Sequence, residues 1–217
     1  MKQADADYGP LFDQYLKIDV ATLSKDATAN AMGQRLFLNY CSQCHGSDAG
    51  GAKSFPNLRD NDWLYGGDAA SIETTILNGR NGVMPALGAA VGGETGINEL
   101  THFVRSLSGL KHDVKLAEAG KAKFAVCAAC HGAGGNGNMA VGAPNLTDAV
   151  WLYGSAEETI AEGIRNGRNN MMPAQKERLG EAKVHLLAAY VYSLGGGMPV
   201  VATAATTGAN AIPPVAK

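Results

Sequence analysis

Cys41-Ser42-Gln43-Cys44-His45 and Cys127-Ala128-Ala129-Cys130-His131 contain all four cysteines of this chain, and each pair is followed at once by a histidine. Positions i and i+3 lie on one face of a helix. Both thiols of a pair can therefore bond the two vinyl groups of one porphyrin, and the adjacent imidazole can swing beneath the ring as an axial iron ligand. C-x-x-C-H reads as c-type haem attachment, with a proximal histidine of the kind other haem proteins use. Other readings of paired cysteines fit less well. A four-thiolate zinc site spaces its C-x-x-C arms by roughly 15–20 residues, whereas 82 separate them here. A redox-active C-x-x-C belongs in a βαβ setting, and no strand pattern flanks either motif. Disulfides at i, i+3 would close tiny loops and add little stability. The motifs thus imply two covalent haems c, one on Cys41 and Cys44 above His45, the other on Cys127 and Cys130 above His131.

Working outward from these motifs, the chain repeats itself. Pro56-Asn-Leu-Arg-Asp-Asn-Asp-Trp-Leu-Tyr-Gly66 aligns with Pro144-Asn-Leu-Thr-Asp-Ala-Val-Trp-Leu-Tyr-Gly154, and Asn78-Gly-Arg-Asn-Gly-Val-Met-Pro-Ala86 with Asn166-Gly-Arg-Asn-Asn-Met-Met-Pro-Ala174. Both blocks keep an offset of 88 residues against 86 for the cysteine motifs, so the second loop is two residues longer. Met32, Leu36 and Tyr40 mark a helix before the first motif. Ala70 to Leu77 and Glu157 to Arg165 are periodic enough for middle helices. Leu100, Phe103, Val104 and Leu107, and likewise Leu187, Tyr190, Val191 and Leu194, have the spacing of amphipathic helices that close each repeat. No segment shows a convincing two-residue alternation.

The expected fold is all-α: two tandem haem-bearing domains at 29–109 and 114–195, joined by a linker at 110–113. An N-terminal extension covers 1–28, in which Leu11, Tyr15 and Ile18 form one apolar face for packing or for docking on a larger partner. Residues 196–217, mostly Gly, Ala, Thr and Pro, read as a flexible tail.

Each proximal histidine leaves one iron face open. Met84 and Met172 are the only methionines at equivalent places in both halves, and each precedes a proline on a Gly/Asn-rich loop. Thioether sulfur is a common distal ligand in cytochromes c and raises the potential. The expectation is His45 with Met84 and His131 with Met172. Met171 competes with Met172, and Met139, His102, His112 and His185 lack counterparts in the other half. Trp63, Tyr65, Trp151 and Tyr153 are candidates to wall the haems, and Arg80 and Arg168 to pair with propionates. With both iron faces capped, neither site readily binds oxygen, peroxide or nitrite, and the available chemistry is one-electron transfer.

Composition narrows the partners. The net charge is −2 and charged residues make up 18% of the 217, which argues against a phosphate-neutralising nucleic-acid binder. No uninterrupted run of about 18 apolar residues exists. The N-terminus Met1-Lys-Gln-Ala-Asp-Ala-Asp7 has no apolar leader region.

Together these blocks resemble the dihaem subunit (CcoP or FixP) of cbb3-type cytochrome c oxidases, over about residues 8 to 195. Tyr8-Gly-Pro-Leu-Phe12 and Cys44-His-Gly-Ser-Asp-Ala-Gly-Gly-Ala-Lys-Ser-Phe-Pro-Asn-Leu58 add to the likeness. The resemblance implies a periplasmic relay that takes electrons from a soluble cytochrome c or the bc1 complex and passes them to the other oxidase subunits, with oxygen reduced elsewhere. It also implies an inner-membrane anchor that this sequence lacks. Similarity to cytochromes c further implies that Pro56 and Pro144 offer their carbonyls to the proximal imidazoles, and that Gly33 with Phe37, and Gly120 with Phe124, make a helix contact. The second pair sits one residue closer to its cysteines. The alternatives are a free-standing dihaem electron-transfer cytochrome, a dihaem peroxidase with one labile site, and a haem-based gas sensor.

Overall fold

The structure is a computed structural model that describes residues 2–197, with side chains from Gly9 onward; nearly all of the stretch read as a tail, 198–217, lies outside the described residues. In chain order the elements are α1 (Lys2–Tyr15), α2 (Val20–Leu23), α3 (Ala27–Tyr40), α4 (Ser42–His45), α5 (Ala69–Asn78), β1 (Arg80–Met84) and α6 (Gly93–Leu107). The second half adds α7 (Val114–Lys121), a 3₁₀ turn (Ala122–Phe124), α8 (Ala125–His131), α9 (Glu157–Asn166), β2 (Arg168–Met172), α10 (Lys176–Leu179) and α11 (Glu181–Ser193). Aspartates open four of the described helices, α2, α3, α5 and α7. The side chains of Asp26, Asp68 and Asp113 accept from the amides of Ala29, Ser71 and Leu116 at 2.7, 3.0 and 3.0 Å, satisfying donors that the first turn cannot.

The helices pack across the repeats. The last helix of the second half, α11, lies on α3 and α5 of the first half, with α2 and α1 against it; α6, the last helix of the first half, lies on α7 and α9 of the second. One core collects Phe37, Ile72, Ile76, Val184, Leu186 and Leu187, the other Ile97, Leu100, Val104, Phe124, Ile160 and Ile164. Each large side chain withdrawn from water contributes about 1.5–3 kcal/mol, so these two clusters define the cooperative units. Residues 84–166 therefore form one continuous unit, and the other is assembled from 2–78 together with 173–197. The boundaries at 29–109 and 114–195 follow the repeat but not this packing. Segment 110–113, read as an interdomain linker, is the turn between α6 and α7 inside one unit.

The glycine–aromatic contacts follow the exchange. A Cβ on Gly33 would collide with the backbone of Leu186 and the Cβ of Tyr190, and one on Gly120 with the backbone of Glu99. Phe37 meets Tyr190 at a centroid distance of 5.4 Å and Phe124 meets Phe103 at 5.2 Å. The one-residue shortfall in the second half is taken up by the 3₁₀ turn, which winds tighter than an α-helix and brings Phe124 into register.

The two crossings between units are β1 and β2, which pair antiparallel with Arg80 opposite Met172 and Met84 opposite Arg168. This ribbon corrects the purely helical expectation. Its Asn/Gly-rich strands have low β-propensity, and each residue pairs with one 84 to 92 positions away, so no local pattern announces it. Gly79 and Gly167, at φ +70° and +73°, stop α5 and α9 and turn the chain into the strands. A side chain at either would meet the backbone at the far end of the opposite strand, Met172 or Met84. Within the unit 84–166, Arg165 of α9 forks onto Glu94 of α6 with both contacts at 2.8 Å.

The N-terminal extension packs on the first unit. Tyr15, Val20 and Leu23 are buried, with Leu11, Phe12 and Ile18 against the same core. No helix among the described residues is long and apolar enough to cross a membrane.

Candidate haem-binding sites

Both cysteine motifs sit on short helices, so Cys41 and Cys44, and Cys127 and Cys130, each share a face, and all four thiols are free. Cys44 and Cys130 are exposed while Cys41 and Cys127 turn inward. Burial, with the neighbouring thiol of its pair, pushes Cys41 up to about 11 and raises Cys127 in the same way. A dithiol redox site needs the opposite shift. The two pairs do not converge, and no group of three or more His, Cys, Asp or Glu among the described residues could hold a metal ion. Neither the zinc nor the thioredoxin-like reading fits this donor set.

The histidines are held with one nitrogen committed. Nδ1 of His45 donates to the Pro56 carbonyl at 2.9 Å, and Nδ1 of His131 to the Pro144 carbonyl at 3.0 Å. With the proton on Nδ1, Nε2 keeps its lone pair for a metal. Burial lowers the His45 pKa, partly offset by the Pro56 bond, which favours the neutral ring that ligation requires.

Met84 and Met172 lie on the inner face of the ribbon, whose residues alternate between partly buried and exposed. Met84 packs against the core that contains Cys127, and Met172 against the core that Cys41 adjoins. Each methionine thus shares a core with the cysteine motif of the other repeat, not with that of its own repeat as the expected pairing of His45 with Met84 and His131 with Met172 has it. Met171 is 73% exposed because strand alternation points it away from Met172, and Met139 is also exposed. The remaining histidines are occupied elsewhere. Nδ1 of His102 accepts from the Asp113 amide at 3.1 Å, and Nδ1 of His112 donates to Leu110 at 2.7 Å. Both ring nitrogens of His185 are engaged, by Glu73 Oε1 at 2.7 Å and the Ile18 carbonyl at 2.8 Å.

The aromatic pairs divide. Trp63 adjoins the first core and Trp151 the second. Trp63 Nε1 donates to the Asp60 carbonyl at 2.9 Å and to the Gly196 carbonyl, whereas Trp151 Nε1 is buried without a partner. Tyr65 lies beneath the Arg80 guanidinium at 4.5 Å and Tyr153 beneath Arg168 at 4.4 Å. The arginines are further tied to Thr75 Oγ1 at 2.9 Å and to the Thr159 carbonyl at 2.7 Å. They therefore brace the ribbon onto α5 and α9, with part of each guanidinium already used.

The residues fit a c-type haem at both places. Paired free thiols, an imidazole with one free nitrogen, a thioether from the other repeat and, at the second site, an indole donor without a partner among the described residues make up its donor set. The strand pairing that carries the methionines between the repeats has one signal in the sequence, the matched Arg-Asn-x-x-Met segments.

Comparison with known proteins agrees. The family described as cytochrome c oxidase, cbb3-type, subunit III matches residues 28–104 and 116–191. The cbb3-type cytochrome c oxidase subunit CcoP of Rubrivivax gelatinosus is 48% identical over 202 residues, 93% of this chain and 66% of the relative. That of Cereibacter sphaeroides is 41% identical over 199 residues, 85% of this chain and 69% of the relative. Subunit FixP of a Bradyrhizobium species is 45% identical over 193 residues, 82% and 67%. The chain spans about two thirds of the length of these relatives. Matched over both repeats and across most of its length, this chain belongs to the subunit III family of cbb3-type cytochrome c oxidases.

Proposed function

We propose that this chain relays single electrons through two covalently held haems c, from a periplasmic donor such as a soluble cytochrome c or the bc1 complex, to the other subunits of a cbb3-type oxidase. The relatives named as subunits of that oxidase support the assembly. Cys41 and Cys44 hold one group and Cys127 and Cys130 the other. His45 and Met172 would hold the iron at the first site, and His131 and Met84 at the second. When bound, each haem supplies an iron that cycles between ferric and ferrous states.

The chain's residues keep that cycle cheap. Pro56 and Pro144 fix the tautomer and orientation of the proximal rings. The ribbon holds both thioethers on a paired backbone rather than on free loops, so little rearranges as charge changes. Trp151 has its indole N–H available for a porphyrin carboxylate. Capping both iron faces favours transfer over turnover of oxygen or peroxide. The observation that carries this reading is the crossing of the methionines: the two sites share one ribbon, so they form a single relay rather than two beads on a string.

A pyridine haemochrome count should give two haems per chain, with a methionine–iron charge-transfer band from both. In a chain lacking the first attachment (Cys41→Ala with Cys44→Ala), Met84→Ala should abolish the remaining band and Met172→Ala should leave it. The reverse pattern overturns the exchanged pairing, and a band insensitive to both overturns methionine ligation.

A further inference from the structure

Asp62 breaks the repeat. Within the aligned Pro-Asn-Leu-x-Asp-x-x-Trp-Leu-Tyr-Gly blocks, Asp60 corresponds to Asp148, but Asp62 corresponds to Val150. The structure places this extra carboxyl at the junction of the halves. A cavity of about 420 Å³ opens there, lined from the first half by Asp62 and Trp63 and from the second by Pro144, Asp148 and Val150 among others. Its remaining polar lining is asparagine, and no lysine, arginine or histidine contributes to the wall.

Two carboxyls, Asp62 and Asp148, line this cavity, and Asp60 lies two residues along the chain from Asp62. Asp60 Oδ1 accepts from the amide of Asp62 at 3.1 Å and Asp148 Oδ1 from that of Val150 at 2.9 Å, so each is anchored by the loop around it. Asp62 is half-buried and lines the same cavity as Asp148. Two carboxylates that share a poorly solvated site cannot both ionise freely, and one keeps its proton into a higher pH range. Burial first, then the charges of Asp148 and Asp60, push Asp62 up to about 6.

The wall of the cavity belongs to both candidate haem sites. Pro144 supplies the carbonyl that holds Nδ1 of His131, and Trp63 adjoins the core around Cys41. A charge appearing on Asp62 thus lies beside the support of one proximal ligand and one wall of the other site.

We propose that Asp62, paired with Asp148 across the junction, binds the proton whose uptake accompanies reduction of the relay. This inference rests on the dihaem reading above. Oxidation adds one positive charge to a site, which favours the carboxylate, so the proton leaves as the electron leaves and returns with it. The sign follows: the ferrous state holds the proton more tightly, and the potential falls as pH rises through the titration window near pH 6. The balance closes with one electron and one proton taken up together and no other reactant.

The test is optical redox titration of the haem-loaded chain at intervals from pH 5 to 8. The parent protein should show a potential that falls with pH over this range. Asp62→Asn, close in shape and uncharged, should remove more than half of that fall. Asp148→Asn should keep the fall but move it to lower pH, because a like charge is gone. Difference infrared spectra gathered on reduction should contain a protonated-carboxyl signal that Asp62→Asn deletes. A flat parent profile, or a slope and signal unchanged in Asp62→Asn, overturns the proposal and assigns the proton to another group, such as a porphyrin carboxylate. Abolition of the slope by one equivalent of added calcium also overturns it, since the corner then holds a cation instead. Failure of the relay itself would appear separately, as a haem count below two or a missing methionine band.

Discussion

Met84 lies directly opposite Arg168 in the antiparallel ribbon, and by the same register Arg80 lies opposite Met172. Each candidate iron ligand is therefore hydrogen-bonded into the strand that leads to the other one. The chain enters the second unit along β1 and leaves it along β2, so the two units cannot separate without breaking this ladder.

The exchange makes a prediction about fragments. A piece covering one sequence repeat, residues 27–110, contains α3 and α6 but neither of the helices they pack on. A piece covering residues 82–167 contains a whole core. Circular dichroism on urea titration should give a cooperative transition for 82–167 and none for 27–110. Cooperative unfolding of 27–110 would mean that the repeats fold as beads.

The glycine contacts carry the helix crossings. Adding a methyl at Gly33 or Gly120 drives it into the backbone of the facing helix, and overpacking of this kind costs roughly 1–3 kcal/mol. Gly33→Ala and Gly120→Ala should each lower the thermal midpoint of the haem-loaded protein. Gly33→Ala should act on the unit holding α11, and the double variant should lose about the sum, since the two sites share no partner.

His185 is 6% exposed and ties α11 both to Glu73 of α5 and to the Ile18 carbonyl of the N-terminal segment. Replacement by phenylalanine keeps the bulk but leaves both acceptors without a donor, at about 1–3 kcal/mol for an unsatisfied buried polar group. Amide exchange should accelerate most around residues 15–24. Unchanged protection there would show that the apolar contacts of Tyr15, Val20 and Leu23 alone hold the segment.

Burial holds His45 below the ordinary histidine value in the folded chain, while the unfolded chain titrates near about 6.5. As pH falls below that value the unfolded state takes up its proton first, so the stability contributed by His45 is present above about pH 6.5 and lost on acidification. For the haem-free chain, the urea midpoint should fall between pH 7.5 and 5.5 by more than it does in His45→Gln. Equal falls would place the pH dependence on other groups.

Much of this protein is readable from the chain alone because its chemistry is local. Two thiols three residues apart, followed by a histidine, need only one turn of helix to face a single porphyrin. The proline carbonyl that meets each imidazole lies 11 or 13 residues away, within one loop. Helix positions follow from apolar periodicity, and Asp26, Asp68 and Asp113 mark helix starts by the ordinary chemistry of capping.

What the chain alone could not decide is which repeat each half completes. Leu100, Phe103, Val104 and Leu107 offer an apolar stripe of the same spacing as Leu187, Tyr190, Val191 and Leu194, so the stripe alone does not say which repeat each helix docks on. Only the tertiary structure breaks that tie, by pairing β1 with β2 and so carrying Met84 and Met172 across the junction. The sequence by itself determined the two Cys-x-x-Cys-His motifs and the helices that bear them. The tertiary structure decided which core each methionine joins, because that choice depends on contacts between residues about 88 positions apart that no local pattern encodes.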